Sequence, residues 1–175
     1  MTHKSLALVL IVLGVYLVLP ASANAQAKFV GTKTCGMCHK TQKQGQQLKI
    51  WTDSKHAQAY KTLLTPKADE IAKKKGGKKA VETPECLKCH VGEKALIESA
   101  FKEDGVQCET CHGAGSEYKS MAIMKNKEEA KKKGLIVHEE GAKFCVTCHN
   151  ADSPNFKGFK YAEMWKKIAH PTPKD

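Results

Sequence analysis

All eight cysteines of this 175-residue chain belong to four copies of one five-residue pattern, Cys-x-x-Cys-His. We refer to the copies, in chain order, as the first to fourth motifs. They are Cys35-Gly36-Met37-Cys38-His39, Cys86-Leu87-Lys88-Cys89-His90, Cys108-Glu109-Thr110-Cys111-His112 and Cys145-Val146-Thr147-Cys148-His149. No cysteine is left over, so the fold must accommodate four such segments and has no further thiol to use elsewhere.

This pattern is typical of covalent haem attachment. Two thiols bond to the vinyl groups of one porphyrin, and the adjacent histidine binds its iron. A disulfide framework does not require a histidine after every second cysteine. Zinc sites and redox dithiols do not explain four identical patterns. The sequence therefore predicts four covalently bound haem c groups, each held by one cysteine pair. Their predicted iron ligands are His39, His90, His112 and His149.

The composition is poor in the usual material of a packed core, because aromatic residues make up only 6% of the chain. Four flat, largely apolar porphyrins would fill the interior instead. We therefore predict a mainly α-helical multihaem cytochrome c in which four haems form the core and little β-sheet is present.

The first residues resemble an export signal. Lys4 precedes an apolar run over residues 6–19, and small residues follow Pro20. Fourteen apolar residues are fewer than the roughly 20 that cross a bilayer. We predict a signal peptide over residues 1–25, with residue 27 as an alternative end. Residues 26–175 then form a single tetrahaem domain in the periplasm with no stable membrane insertion, and association with the cell surface stays open.

Second axial ligands are in short supply. Once His3 leaves with the signal, His56, His138 and His170 remain for four distal positions. At least one iron must therefore take a methionine or another group, take a ligand from a neighbouring molecule, or stay open. Met121 and Met124 are three residues apart and can share one face of a helix, which makes either a candidate ligand. Core methionines that merely touch porphyrin are the alternative.

Helical patterns surround these candidates. A helix-prone stretch over residues 41–64 contains His56 and ends before Pro66, and residues 161–168 precede His170. Residues 125–133 combine lysines with two glutamates and read as a solvated helix. The lysines of residues 73–79 read as a flexible charged loop.

The chain carries a formal charge of +11, from 29 lysines and no arginine against 18 acidic residues. Haem propionates would offset part of this charge. Nucleic-acid binding is disfavoured, because arginine, aromatic interleaving and a known binding motif are absent from the sequence. We expect redox protein partners, acidic ones fitting the lysine-rich surface. The oligomeric state stays open.

Residues in and around the motifs form a further pattern. They are residues 34–40, Trp51 with residues 54–57, residues 89–91, residues 105–106, residues 111–115, His138, and Asn150, Ser153, Pro154, Lys157, Gly158, Glu163 and Met164. On these residues, the sequence resembles the tetrahaem cytochrome c-554 family over residues 31–170. The resemblance implies a mostly helical protein with closely packed haems, in which His56 and His138 bind the irons of the third and fourth motifs in an unassigned order.

Two departures from that family matter. Its named member has a distal histidine where this chain has Ala122, which favours a histidine–methionine first haem. In that family member the second haem is five-coordinate and lies beneath a loop. The corresponding loop of this chain is much shorter. Whether His170 caps the second haem or leaves it open stays undecided.

Three functions are consistent with these residues. A carrier that passes single electrons between redox partners is favoured over an enzyme. The alternative enzyme would act on nitric oxide, hydroxylamine or nitrite at an open haem. A subunit of a conducting haem filament, completed by a ligand from the next subunit, is the third hypothesis.

Overall fold

The computed structural model describes residues 26–138 and 141–171, so the predicted signal peptide lies outside the described residues. Their regular structure is helical and contains no β-strand, which confirms the mainly α prediction. The α-helices are α1 (Thr32–Gly36), α2 (Gln47–Thr52), α3 (Ala59–Leu63), α4 (Pro66–Lys74), α5 (Pro84–His90), α6 (Lys94–Ile97), α7 (Cys108–His112), α8 (Met121–Met124), α9 (Lys127–Lys132) and α10 (Tyr161–Ile168). Short 3-10 helices cover His56–Gln58, Ala80–Glu82, Lys102–Asp104, Gly115–Glu117 and Cys145–Thr147. Over these same ranges, no helix is both long and apolar enough to cross a membrane.

Of the α-helices described, four (α4, α7, α8 and α9) begin at a residue whose side chain accepts a free backbone N–H. The Thr65 side chain accepts the Ala68 N–H at the start of α4, where Pro66 takes the first helical position. Asn126 accepts the Glu129 N–H at 3.1 Å and caps α9. Helices α9 and α10 agree with the helices predicted around residues 125–133 and 161–168.

The single helix expected over residues 41–64 is wrong. Turns occupy residues 41–45, and Gln46 adopts a left-handed conformation with φ 54° before α2 begins. A second break at residues 53–55 separates α2 from the 3-10 turn that carries His56. Residues 41–47 contain no apolar side chain, so the apolar pattern that begins at Leu48 does not extend over the first break.

The buried apolar residues form one small cluster beside the second motif. Helices α3, α4, α5 and α6 contribute most of it, and Phe29, Ile97 and Phe101 pack against it half-buried. Its members are Tyr60, Leu63, Ala72, Ala80, Leu87, Val91 and Leu96. Three of the seven are alanine or valine, so this cluster encloses little volume.

Large apolar side chains are exposed at the first and fourth motifs. Met37 in the first motif is 69% exposed and Val146 in the fourth is 41% exposed. Phe144, directly before the fourth motif, is 38% exposed. A porphyrin attached at each of these motifs would lie beside these side chains and cover them.

The segment before the first motif is tied to the region of the third. The Lys28 N–H donates to Ser116 Oγ at 2.9 Å, and the Ser116 N–H donates back to the Lys28 carbonyl at 3.1 Å. The Thr32 hydroxyl donates to Asp104 at 2.7 Å. These bonds hold α1 against α7, although their residues are about 75 positions apart in the chain.

We predict that Leu96→Ala lowers the stability of the haem-loaded protein by about 2–5 kcal/mol, because Leu96 is fully buried in the cluster and its removal leaves a cavity. Leu64→Ala makes the same chemical change at a side chain that is 61% exposed, and should change stability by no more than about 0.5 kcal/mol. Thermal unfolding followed by circular dichroism measures both. Equal effects of the two variants would contradict the assignment of the core.

Candidate haem sites

Each motif forms a helical turn that brings its two thiols to one side. The first lies at the end of α1, the second within α5, the third forms α7, and the fourth begins with the 3-10 turn Cys145–Thr147. Residues three apart in a helical turn face the same way, so the paired thiols can bond to one porphyrin. The third motif is also capped: Gln107 accepts the Glu109 N–H at 3.1 Å, and the Thr110 hydroxyl accepts the Gln107 N–H at 3.1 Å.

Thiols of different motifs contact one another. The Cys35 and Cys108 side chains are hydrogen-bonded, a contact that lowers the pKa of Cys35 and raises that of Cys108. This contact joins the first motif to the third.

The fourth motif is similarly placed between two others. Burial and the neighbouring Cys148 thiol together raise the pKa of Cys89 to about 11, and Cys148 Sγ lies 3.9 Å from the Lys88 carbonyl of the second motif. Burial, Cys145 and Cys148 together raise the pKa of Cys111 to about 11.

His138 links the third and fourth motifs, because its Nε2 lies 2.6 Å from the Cys111 carbonyl and its ring lies 4.6 Å from that of Phe144, directly before Cys145. The motifs therefore follow one another in space in the order first, third, fourth, second.

Backbone carbonyls orient two of the motif histidines. His90 Nδ1 lies 2.7 Å from the Ala59 carbonyl, and His112 Nδ1 lies 2.8 Å from the Ile136 carbonyl. A carbonyl accepts, so Nδ1 carries the proton in each ring and Nε2 is the nitrogen left for a metal. Iron-binding histidines in proteins usually have such a partner on the other ring nitrogen.

The first-motif histidine has an unusual environment. His39 Nδ1 is buried with no hydrogen-bond partner in the structure, and so is Gln47 Oε1. The Gln47 side chain nevertheless lies near enough to His39 to raise its pKa, although burial lowers that pKa more strongly. Gln47 is thus the side chain placed to accept from His39 Nδ1.

Burial favours the neutral form of four candidate ligands. It lowers the pKa of His39, His112 and His149, and it lowers the pKa of His56 with a further contribution from His149. A neutral imidazole is the form that binds a metal. All four motifs therefore fit haem by thiol spacing, the second and third also by ring orientation, and the first, third and fourth by the lowered pKa of their histidines.

Ring pairs identify which candidate ligands face which motif. Metal–imidazole bonds are about 2 Å long, so two rings on either side of one metal have centroids roughly 6 Å apart. The centroids of His56 and His149 are 6.0 Å apart. Phe159 stacks on His149 at 4.8 Å and fixes that ring.

Two histidines lie near His112, and they differ in which nitrogen is free. His138 is 6.1 Å away, but its Nε2 lies 2.6 Å from the Cys111 carbonyl and is already hydrogen-bonded. His170 is 5.8 Å away, and its Nδ1 lies 3.0 Å from the Ile168 carbonyl, which leaves Nε2 free. His170 therefore has the better orientation toward the third motif.

The C-terminal segment also contacts the first motif. Gln47 Nε2 donates to the Pro171 carbonyl at 2.8 Å, and His170 lowers the pKa of both His39 and His112. None of the ring contacts between histidines in the described part of the chain involves His39 or His90.

The two candidate methionines lie on α8, which starts where Ser120 accepts the Ile123 N–H. Met121 is 65% exposed and Met124 is half-buried. Both retain the helical spacing that the sequence predicts.

Sequence reasoning missed the groups that hold the motifs in place. The Ala59 and Ile136 carbonyls carry no sequence signal, because every residue supplies one. The Tyr118 hydroxyl donates to the Gly113 carbonyl at 2.6 Å and fixes the end of the third motif. The Glu109 side chain is another such group. Its position inside a Cys-x-x-Cys-His pattern is the one sequence feature that could have indicated it.

Comparison with known proteins agrees with these sites. Residues 34–113 match the family described as cytochrome c554 and c-prime. Cytochrome c-554 of Nitrosomonas europaea is 32% identical over 158 residues, which cover 79% of this chain and 65% of that protein. The chain thus spans about 65% of the length of the curated relative that it matches. No solved structure gives a significant match. The chain belongs to the cytochrome c-554 family, whose members are c-type cytochromes with covalently bound haem.

Proposed function

We propose that this chain is a periplasmic tetrahaem cytochrome that transfers single electrons between redox partners through closely packed haems. The observation that carries the proposal is the proximity of the four motifs in the order first, third, fourth, second: α1 packs on α7, His138 lies between Cys111 and Phe144, and Cys148 lies against the Lys88 carbonyl. When bound, each haem supplies an iron that alternates between the ferric and ferrous states. Export through the signal peptide of residues 1–25 accounts for the location.

The residues of each motif have separate tasks. Each cysteine pair anchors one porphyrin, and the motif histidine binds the iron from one side. The proposed anchors are Cys35 with Cys38, Cys86 with Cys89, Cys108 with Cys111, and Cys145 with Cys148. The Ala59 and Ile136 carbonyls hold the protons of His90 and His112 on Nδ1, which keeps Nε2 directed to metal binding.

The motifs differ in which side chain we assign as the second ligand of the iron. We assign His56 opposite His149 and His170 opposite His112 from their ring distances and free nitrogens. His138 adjoins the third motif with its Nε2 engaged, so its Nδ1 is the nitrogen through which it could serve as the alternative ligand there. Met121 or Met124 remains the proposed distal ligand at the first motif, in keeping with Ala122 at the family's distal position.

An enzyme acting on a small nitrogen species is the second candidate function. It is favoured by one observation: no histidine ring from residues 26–138 or 141–171 faces His90, while His170, its possible cap, lies against His112. The second motif would then keep an open position. The absence of arginine weakens this candidate, because lysine cannot bind an oxyanion in a bidentate manner.

The excess of 29 lysines over 18 acidic residues supports docking of an acidic redox partner, and an open cleft of about 460 Å³ lies beside the second motif. The lining of this cleft is mixed in charge, because Glu82 and Glu85 line it together with Lys75 and Lys78. Lys75 also lies close enough to Cys86 to oppose the rise in its pKa caused by burial. A partner bound at this cleft would face the haem at the end of the motif series.

Consumption of hydroxylamine or nitrite separates the two candidate functions, and carbon monoxide binding tests the open position itself. We expect the ferrous protein to bind carbon monoxide at one haem, at the second motif, and to consume neither hydroxylamine nor nitrite at a steady rate. The ferric spectrum should show low-spin iron with one high-spin component. Steady consumption of either compound would replace the carrier with the enzyme. Absence of any carbon monoxide complex would contradict the open second motif.

The position of His56 depends on a close backbone approach by Gly105. The Val106 N–H donates to the His56 carbonyl at 3.2 Å, and Trp51 Nε1 donates to the Val106 carbonyl at 2.8 Å. Gly105 has φ +75°, and a Cβ there would lie 2.8 Å from the His56 carbonyl oxygen.

We therefore expect Gly105→Ala to displace His56 from His149, adding one high-spin ferric haem and one further carbon monoxide site. The matched control is Gly76→Ala, which has φ +86° and open space around the new Cβ, and should lose only about 1–2 kcal/mol of stability from backbone strain. The visible spectrum measures the difference. A low-spin Gly105→Ala spectrum identical to the unsubstituted protein would refute the His56 assignment.

Methionine ligation at the first motif has a spectral test. A ferric haem with a methionine ligand shows a charge-transfer band, which Met121→Ala or Met124→Ala should abolish in one variant only. The other variant is the matched control, because it removes the same side chain from the same helix. If the band is absent from the unsubstituted protein, or survives in both variants, the first haem has no methionine ligand.

A further inference from the structure

Glu109 stands apart from the other acidic side chains because it is the one that is buried in the described residues, with 2% of its surface exposed. Its carboxylate accepts hydrogen bonds from four groups. These are the backbone N–H groups of Val30 at 2.9 Å, Gly31 at 2.8 Å and Gly115 at 2.7 Å, and Gln107 Nε2 at 3.1 Å. Removing a charged carboxylate from water costs free energy, and the four hydrogen-bond donors around Glu109 offset that cost.

The partners of Glu109 fit a negatively charged carboxylate. Each is an N–H donor, so a proton on either oxygen would have no acceptor among them and would face a donor instead. None of the ion pairs between described residues includes Glu109. The charge is therefore solvated by backbone dipoles and an amide and is not neutralised by a lysine.

This charge lies between two haem attachment points. Glu109 directly follows Cys108 in the third motif, and its carboxylate accepts the Val30 and Gly31 N–H groups at the start of α1, the helix that carries Cys35 of the first motif. Its negative charge contributes to raising the pKa of both cysteine thiols and of Tyr118. The Asp104 carboxylate adds to the field at Cys35, but its side chain lies nearer the surface.

We infer that Glu109 lowers the reduction potentials of the two haems attached at the first and third motifs relative to those at the second and fourth. The inference rests on the proposed function, because it requires haem at all four motifs. Reduction adds one electron to a ferric iron and removes one positive charge from it. A buried negative charge nearby stabilises the ferric form more than the ferrous form, and low polarity makes the effect stronger. Electrons would then move preferentially from the first and third haems toward the second and fourth.

The test is potentiometric titration of the purified haem-loaded protein and of Glu109→Gln, which keeps the side-chain shape and removes the charge. We expect two of the four midpoint potentials to rise and the other two to stay in place. Glu117→Gln removes the same charge from an exposed position eight residues on, and should leave all four unchanged. Four unchanged potentials in Glu109→Gln, or a uniform shift of all four, would overturn the inference.

A second variant guards against failure of Glu109→Gln to fold. Gln107→Leu removes one donor from Glu109 while leaving its charge, so the same two potentials should fall below those of the unsubstituted protein. A merely structural effect would not give opposite signs in the two variants, and no shift or an upward shift in Gln107→Leu would also overturn the inference. Haem content and visible spectra, measured on the same samples, report the proposed function separately from the potentials.

Discussion

The physical constraint on which this structure depends is that its own apolar side chains are too few to fill its interior. The described residues provide one cluster of seven buried side chains, all beside the second motif. Around the first and fourth motifs, apolar residues such as Met37 and Val146 are exposed instead. Covalent porphyrins supply the missing surface, which explains how helices of at most nine described residues can be held together.

The arrangement of the motifs in space differs from their order in the chain. Thiol contacts join the first motif to the third and the fourth to the second. Polar groups fix this arrangement: Glu109 ties residues 30–31 to the third motif, and the Ala59 and Ile136 carbonyls orient two motif histidines. The same contacts therefore determine the packing of the chain and, in the function proposed above, the order in which the haems would exchange electrons.

The sequence predicts the chemistry of this protein better than its geometry. The thiol spacing and the adjacent histidines follow from local chemistry, and the helices near residues 127–132 and 161–168 follow from local patterns. The predicted helix over residues 41–64 is broken at Gln46, which takes a left-handed conformation that residues other than glycine rarely adopt. His56 and His149 face each other although they are 93 positions apart in the chain, and no local sequence pattern encodes such a pair.

The central claim is that four haems are attached to this chain, one at each motif. Intact mass spectrometry of the protein purified from the periplasm tests it most directly. The account predicts a single species with the mass of residues 26–175 plus four haems. Fewer than four attached haems, with free thiols that react with an alkylating reagent, would contradict the account.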